Sequence, residues 1–261
     1  MQKRLALLVA ISISALPLVA QAQRKSPLAD APAIRKRLEL RSSRLELGAG
    51  AGTTINQDFF HSALVDVKIG FHFTDWLSLS AIGGFALANL NTGFRDNIVA
   101  TLPQNADPNN RAPAQSSAAG TMNQIKQVLA AQVEATPFTG KYSLFGKVFA
   151  HYDFYAFAGI GAINYAAASS GVASCSDTAS NGCAVTGLKV GANFGLGVHS
   201  FINQFLALDL EVRDLYAPNN ASGRDVNGDR VVNNEDVGLT STYIATLNIT
   251  LFLPSIAEIS N

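Results

Sequence analysis

"LVDVKIGFHF", Leu64 to Phe73, alternates without a break. Val65, Val67, Ile69, Phe71 and Phe73 fall on one side of an extended chain, with Asp66, Lys68, Gly70 and His72 on the other. Successive side chains of a strand point to opposite faces, so this segment is a strand with one apolar face and one face of charge, glycine and histidine. The fold depends on which face is inside.

The period of two recurs in seven more segments. "RLELGAG" sets Leu45, Leu47 and Ala49 against Arg44 and Glu46, and "LSLSAIGGFAL" sets Leu77, Leu79 and Ala81 against Ser78 and Ser80. "KYSLFGKVFAHY" sets Tyr142, Leu144 and Val148 against Lys141, Ser143 and Lys147. "DFYAFAGIGAINY" sets Tyr155, Phe157, Ile163 and Tyr165 against small residues and Asn164. "LKVGANFGLGVHS" sets Leu188, Val190, Ala192, Phe194, Leu196 and Val198 against Lys189, Asn193 and glycines. "LALDLEVRDL" sets Leu206, Leu208, Leu210 and Val212 against Asp209, Glu211 and Arg213. "YIATLNITLFL" sets Tyr243, Ala245, Leu247, Ile249 and Leu251 against Thr246, Asn248 and Thr250. Each strand runs to about ten residues, and a tilted strand crosses a bilayer with ~9–11.

The connections alternate in length. "TDW", "HYD" and "FINQF" are short; 53–61, 89–139, 167–186 and 217–238 are long. Short turns at one end and long loops at the other are the layout of an outer-membrane barrel, with the short turns periplasmic. The expected fold is therefore all-β: an eight-stranded antiparallel transmembrane β-barrel with long extracellular loops. Aromatic residues should mark two belts, with Phe73, Trp76, Tyr152, Phe154, Phe201, Phe205 and Phe252 near the short turns and Tyr142, Tyr165, Tyr216 and Tyr243 at the other edge. A soluble eight-stranded barrel is the structural rival, and it would need a polar outside. The charges here, Arg44, Lys68, Lys141, Lys147, Lys189 and Arg213 against Glu46, Asp66, Asp209 and Glu211, are too sparse for that and could instead pair inside a narrow lumen.

Composition agrees. Of 261 residues only 15% are charged, and 19 Lys and Arg balance 19 Asp and Glu. A net charge of zero provides no basic field for nucleic acid, so no nucleic-acid partner is expected. The start, "MQKRLALLVAISISALPLVAQAQ", has a basic beginning, an apolar run and small residues before a cut, the pattern of a signal peptide over 1–22. A polar, basic stretch follows, read as a periplasmic arm over 23–43. The barrel then spans 44–253 and a short tail 254–261. The expected place is the outer membrane of a Gram-negative cell, as a monomer in contact with outer-membrane lipid.

"APAIRKRLELRSSRLELGAGAGTTINQDFF", "FTDWLSLSAIGGFAL" and "QVEATPFTGKYSLFGKVFAHYDFYAFAGIGA" resemble the outer membrane β-barrel domain proteins described mainly from myxobacteria, with Pro137, Gly140, Lys141 and Asp153–Tyr155 most telling. The resemblance runs from about Ala31 to Leu253. It implies an outer-membrane barrel and no particular activity.

The loops carry the candidate chemistry. "RDVNGDRVVNNEDVG" places Asp225, Asn227, Asp229, Asn233 and Asp236 at positions 1, 3, 5, 9 and 12 of a calcium loop, with the Val231 carbonyl at 7 and apolar Val232 at 8. Closure by Asp resembles the dockerin form of such loops. Arg230 stands at position 6, where glycine is usual, and an ordinary Asp/Asn/Gly turn is the competing reading. The expected cofactor is Ca²⁺, bound weakly. Cys175 and Cys183, eight apart in one loop of an exported chain, are expected to form a disulfide. "MNQIKQVLAAQVEA", Met122 to Ala135, has Ile125, Val128, Leu129 and Val133 at helical spacing and reads as a short amphipathic helix over the barrel mouth. His61, beside Ser62 and near Asp58, is the one histidine placed at the outer rim, and a solvated loop residue is the better reading than a catalytic one. No enzymatic activity is expected. The expected role is structural or surface-interacting, with an extracellular partner met by 89–139, 167–186 and 217–238. A narrow pore and a surface hydrolase are the alternatives.

Overall fold

In a computed structural model, which describes residues 41–105, 113–144, 148–176, 183–229 and 231–254, eight strands close on themselves in chain order. They are β1 (Arg44–Thr54), β2 (Phe60–His72), β3 (Leu77–Asn91), β4 (Asn123–Leu144), β5 (Val148–Ala167), β6 (Gly187–Phe201), β7 (Leu206–Asn219) and β8 (Gly238–Leu253). Every neighbouring pair is antiparallel, and β1 closes the ring on β8, with Leu47 opposite Leu251 and Ala51 opposite Leu247. Closure leaves no strand edge unpaired.

The strands sort their side chains by polarity, inside out. On β2, Asp66, Lys68 and His72 are buried, while Val67 and Ile69 are 53% and 56% exposed. On β8, Thr246, Asn248 and Thr250 are buried between exposed Leu247, Ile249 and Leu251. β7 repeats this with Asp209, Glu211 and Arg213 inside and Leu208, Leu210 and Val212 outside. Eight strands enclose a lumen that side chains can just fill.

The filling is layered. Phe201, Ala207 and Phe252 form an apolar cluster at the short-turn end. Above them lies the charged layer around Lys68. Above that, Leu64, Ile125, Val128, Ile163, Leu215 and Ile244 make a second apolar cluster toward the long loops.

β5 departs from the expected facing. Tyr155, Phe157, Ile163 and Tyr165 are all buried in the lumen, while Ala158 and Ile160 face outward. Glycines opposite make this fit. A Cβ on Gly197 would clash with the Tyr155 ring, and one on Gly195 with the Phe157 ring. Phe201, Phe252 and Tyr165 likewise lie inside and leave the expected aromatic belts, whereas Phe73, Trp76 and Phe205 face out. Lys141 is exposed and takes no part in the lumen.

Two further expectations are corrected. Met122–Ala135 is not a helix: Met122 ends the helical turn before it, and Asn123 begins β4. A one-residue register shift between Ile125 and Gln127 changes the phase of the strand. Ile125 and Val128 therefore enter the lumen while Leu129 and Val133 face out, and this mixture imitates a helical stripe. Nor is "HYD" a turn, because Val148–Ala167 is one strand and β4 pairs with it from Leu144 opposite Val148. The long connection after β3 instead holds two short helices, α1 (Gly93–Thr101), capped by Thr92, and α2 (Gln115–Thr121). The expected signal peptide and nearly all of the expected arm and tail lie outside the described residues.

Candidate functional site

Lys68 is at the centre of the lumen. Its Nζ lies 3.1 Å from Glu46 Oε1, 3.1 Å from Glu134 Oε1, 3.4 Å from Asp209 Oδ2 and 2.9 Å from Glu211 Oε1. These carboxylates come from β1, β4 and β7, so one ammonium ties together strands on opposite sides of the ring. Each carboxylate has further donors. Ser78 Oγ, Ser80 Oγ and Gln132 Nε2 donate to Glu134 at 2.9, 2.5 and 2.9 Å. Tyr155 Oη contacts Asp209 at 2.6 Å and Glu211 at 2.7 Å, and Arg213 pairs with Glu211. Charged groups buried this deeply persist only when paired and hydrogen-bonded.

Toward the short turns the network continues through histidine. His72 Nε2 is 2.9 Å from Glu46 Oε2, and His199 Nδ1 is 2.8 Å from Asp153 Oδ1. Arg41, from the segment read as the arm, is buried here. Its Nη1 is 2.7 Å from Asp153 Oδ2, its Nη2 donates to the Asp75 carbonyl, and its backbone N–H donates to Asp75 Oδ1 at 2.7 Å. Alternation alone placed Lys68, Glu46, Asp209, Glu211 and Arg213 on one face. It could not reveal Arg41, which precedes the first strand, or Glu134, which lay in the supposed helix.

At the other end the long loops hold one another. Cys175 and Cys183 are disulfide-bonded, as expected. Cys183 is buried, with its Sγ 3.9 Å from the Val232 carbonyl, so the backbone of the presumed calcium loop lies against the disulfide. Thr121 Oγ1 donates to the Ser222 carbonyl at 3.2 Å, and the Asn123 N–H to the Ala221 carbonyl at 3.2 Å. Gly223, at φ +62°, lies against the Cys183 and Thr121 carbonyls where no Cβ would fit.

The loop itself is wound by its own acceptors. The Gly228 N–H donates to Asp225 Oδ1 at 2.6 Å, Asp229 N–H to Asn227 Oδ1 at 2.9 Å and Val231 N–H to Asp229 Oδ1 at 2.7 Å. Asn233 caps a short 3-10 turn, Asn234–Asp236. Asp236 is buried and accepts from Val226 at 2.6 Å, Asn227 at 3.2 Å and Asn233 at 3.0 Å. Burial alone pushes this carboxyl up, but the three N–H donors outweigh it and hold it below the usual carboxylate range. The left-handed residue is Gly228, at φ +83°, and Arg230 lies outside the described residues. The donor set is all oxygen, which suits a hard cation. Among the described residues, however, the acidic and histidine group whose ligand atoms lie within 4.8 Å of one another is Glu46, His199 and Asp209 in the lumen. The loop's three carboxylates are not gathered that closely.

No protein-family model matches the sequence, and no curated protein matches it. Among solved structures, the chain is similar to the N-terminal β-barrel domain of Pseudomonas aeruginosa OprF, at 11% identity and a TM-score of 0.41, over 81% of this chain and 98% of that one. It is also similar to the outer membrane protein OprG of Pseudomonas aeruginosa, at 9% identity and a TM-score of 0.42, over 83% and 99%. A third is Neisserial surface protein A, at 8% and 0.34, over 80% and 94%.

Among the described residues, His61 and Ser62 are not brought together. His61 is exposed, while Ser62, the next residue, points inward and donates to Asn89 Oδ1 at 2.5 Å. Adjacent strand residues face opposite ways, so these two cannot act together.

Proposed function

We propose that this chain is an integral outer-membrane barrel, closed along its axis by its own side chains, which works through the surface made by its long loops. The observation that carries this reading is the inverted polarity of the wall: isoleucine, leucine, valine and phenylalanine outward, and paired charge inward. Water would not tolerate so continuous an apolar exterior, whereas hydrocarbon requires it. The charged layer has an apolar cluster on either side, which supports a lumen filled by its own side chains. A resemblance to the myxobacterial barrel proteins fits the same reading.

The three tied loops form the face offered to an extracellular partner. Within it, Asp225, Asn227, Asp229, the Val231 carbonyl, Asn233 and Asp236 would hold Ca²⁺, which supplies a charge that draws the carboxylates together and orders the loop. Calorimetry on the refolded chain is expected to show weak calcium binding that Asp225→Ala and Asp229→Ala abolish. Equal heat in those variants removes the ion from the proposal.

The closed barrel is tested by fractionation and planar bilayers. The protein should sediment with the outer membrane and give no steady channels at neutral pH. Steady conductance from the purified protein would replace this reading with a narrow pore.

A further inference from the structure

Both ring nitrogens of His199 face carboxylates. Nδ1 lies 2.8 Å from Asp153 Oδ1, and Nε2 lies 3.3 Å from Glu46 Oε1 and 3.6 Å from Asp209 Oδ1. A neutral imidazole has one N–H and one lone pair, so one nitrogen would direct its lone pair at a carboxylate oxygen. The ring cannot turn to avoid this. It stacks on Tyr155 at 4.6 Å, meets Phe252 edge-on at 5.5 Å and has Phe201 at 6.1 Å. With a proton on each nitrogen, every one of these polar contacts becomes donor to acceptor.

The surrounding charges require the same proton. Arg41 serves Asp153 and Arg213 serves Glu211, while the single charge of Lys68 is shared among Glu46, Glu134, Asp209 and Glu211. Glu46 and Asp209, the two carboxylates that His199 Nε2 faces, are left short of positive charge. In a buried site an unbalanced carboxylate is costly. A divalent metal between Glu46, His199 and Asp209 would balance it too. Lys68 Nζ, however, lies 3.1 Å from the same Glu46 oxygen and 3.4 Å from Asp209, so a metal there would face a buried ammonium.

We infer that His199 is a proton-dependent latch: as imidazolium it fastens the lumen side chains of β6 to those of β1, β5 and β7 at the short-turn end, and loss of that proton loosens this packing and admits water and small ions. The opening step rests on the closed lumen proposed above; the imidazolium does not. The fastening depends on that proton and is lost when the imidazolium gives it up.

The test uses the full chain in micelles with ¹⁵N-labelled histidine. At neutral pH the His199 ring should show both nitrogens protonated, and that signal should be absent from His199→Gln. A neutral tautomer for His199 overturns the latch, and so does a ring signal that changes when EDTA is added. On further alkalinisation the wild-type melting temperature should fall by a few degrees while that of His199→Gln stays level. A wild-type curve that is flat through the same range overturns the latch. In bilayers, conductance should appear with the alkaline step. Conductance already present at neutral pH defeats the closed lumen and the opening step with it, while the imidazolium spectrum decides the latch separately.

Discussion

Lys68 Nζ touches Glu46, Glu134, Asp209 and Glu211 at 3.4 Å or less, and no other ammonium among the described residues replaces it. Removing one partner of a buried pair leaves the other charged and unpaired, which costs roughly 3–5 kcal/mol. Lys68→Met keeps most of the volume and is expected to lower the unfolding free energy of the refolded barrel by that order, measured by denaturant titration. Gly197 makes a steric argument at the same scale. A methyl there meets the Tyr155 ring, and Tyr155 cannot retreat while its hydroxyl contacts Asp209 and Glu211. Gly197→Ala should cost about 1–3 kcal/mol through overpacking. Gly93→Ala, where nothing lies near the added methyl, should cost nothing measurable in the same assay.

At the scale of the element, the last loop has a pH dependence of known sign. The Asp236 carboxyl is held below its ordinary range by the Val226, Asn227 and Asn233 amides, so its contribution is present above the unfolded value of ~3.9 and is lost as pH falls through the depressed one. Protection of those three amides, relative to their intrinsic exchange, should fall on acidification before any strand amide responds, and Asp236→Ala should show the low protection already at neutral pH. A strand that loses protection with them would show that the loop does not open independently. The elements also explain what sequence could and could not convey. β1, β2, β7 and β8 were legible because toward the short turns their lumen face is polar and their outer face apolar, even though Leu64, Leu215 and Ile244 enter the lumen nearer the long loops. β4 was not: its bulge at Lys126 shifts the phase, and its lumen face carries Ile125, Val128 and Ala130 before reaching Gln132 and Glu134. Alternation cannot be seen where both faces are apolar. β5 was misfaced for a related reason, since a narrow barrel fills with aromatics wherever the neighbouring strand has glycine, as Gly195 and Gly197 do. The six loop residues were legible as oxygen donors, but spacing along a chain does not fix their distances in space.

For the whole molecule, the decisive matter is which solvent the wall meets, and one strand can measure it. Leu247 lies midway along β8, outward and 55% exposed, while Leu239 is equally exposed at the long-loop end of the same strand. In a bilayer, arginine on the lipid face costs ~2–4 kcal/mol at the midplane and ~0–1 near an interface. Leu247→Arg should therefore reduce the stability of the vesicle-inserted barrel by several times the loss from Leu239→Arg. A barrel standing in water predicts the opposite pattern. Both positions would then be hydrated surface, and an added charge at either would be neutral or would improve solubility. The paired lumen does not enter the comparison, because neither side chain touches it. A difference that grows with depth along β8 is thus a measure of the surrounding hydrocarbon, and equal responses at Leu247 and Leu239 would remove the membrane from the account of this protein.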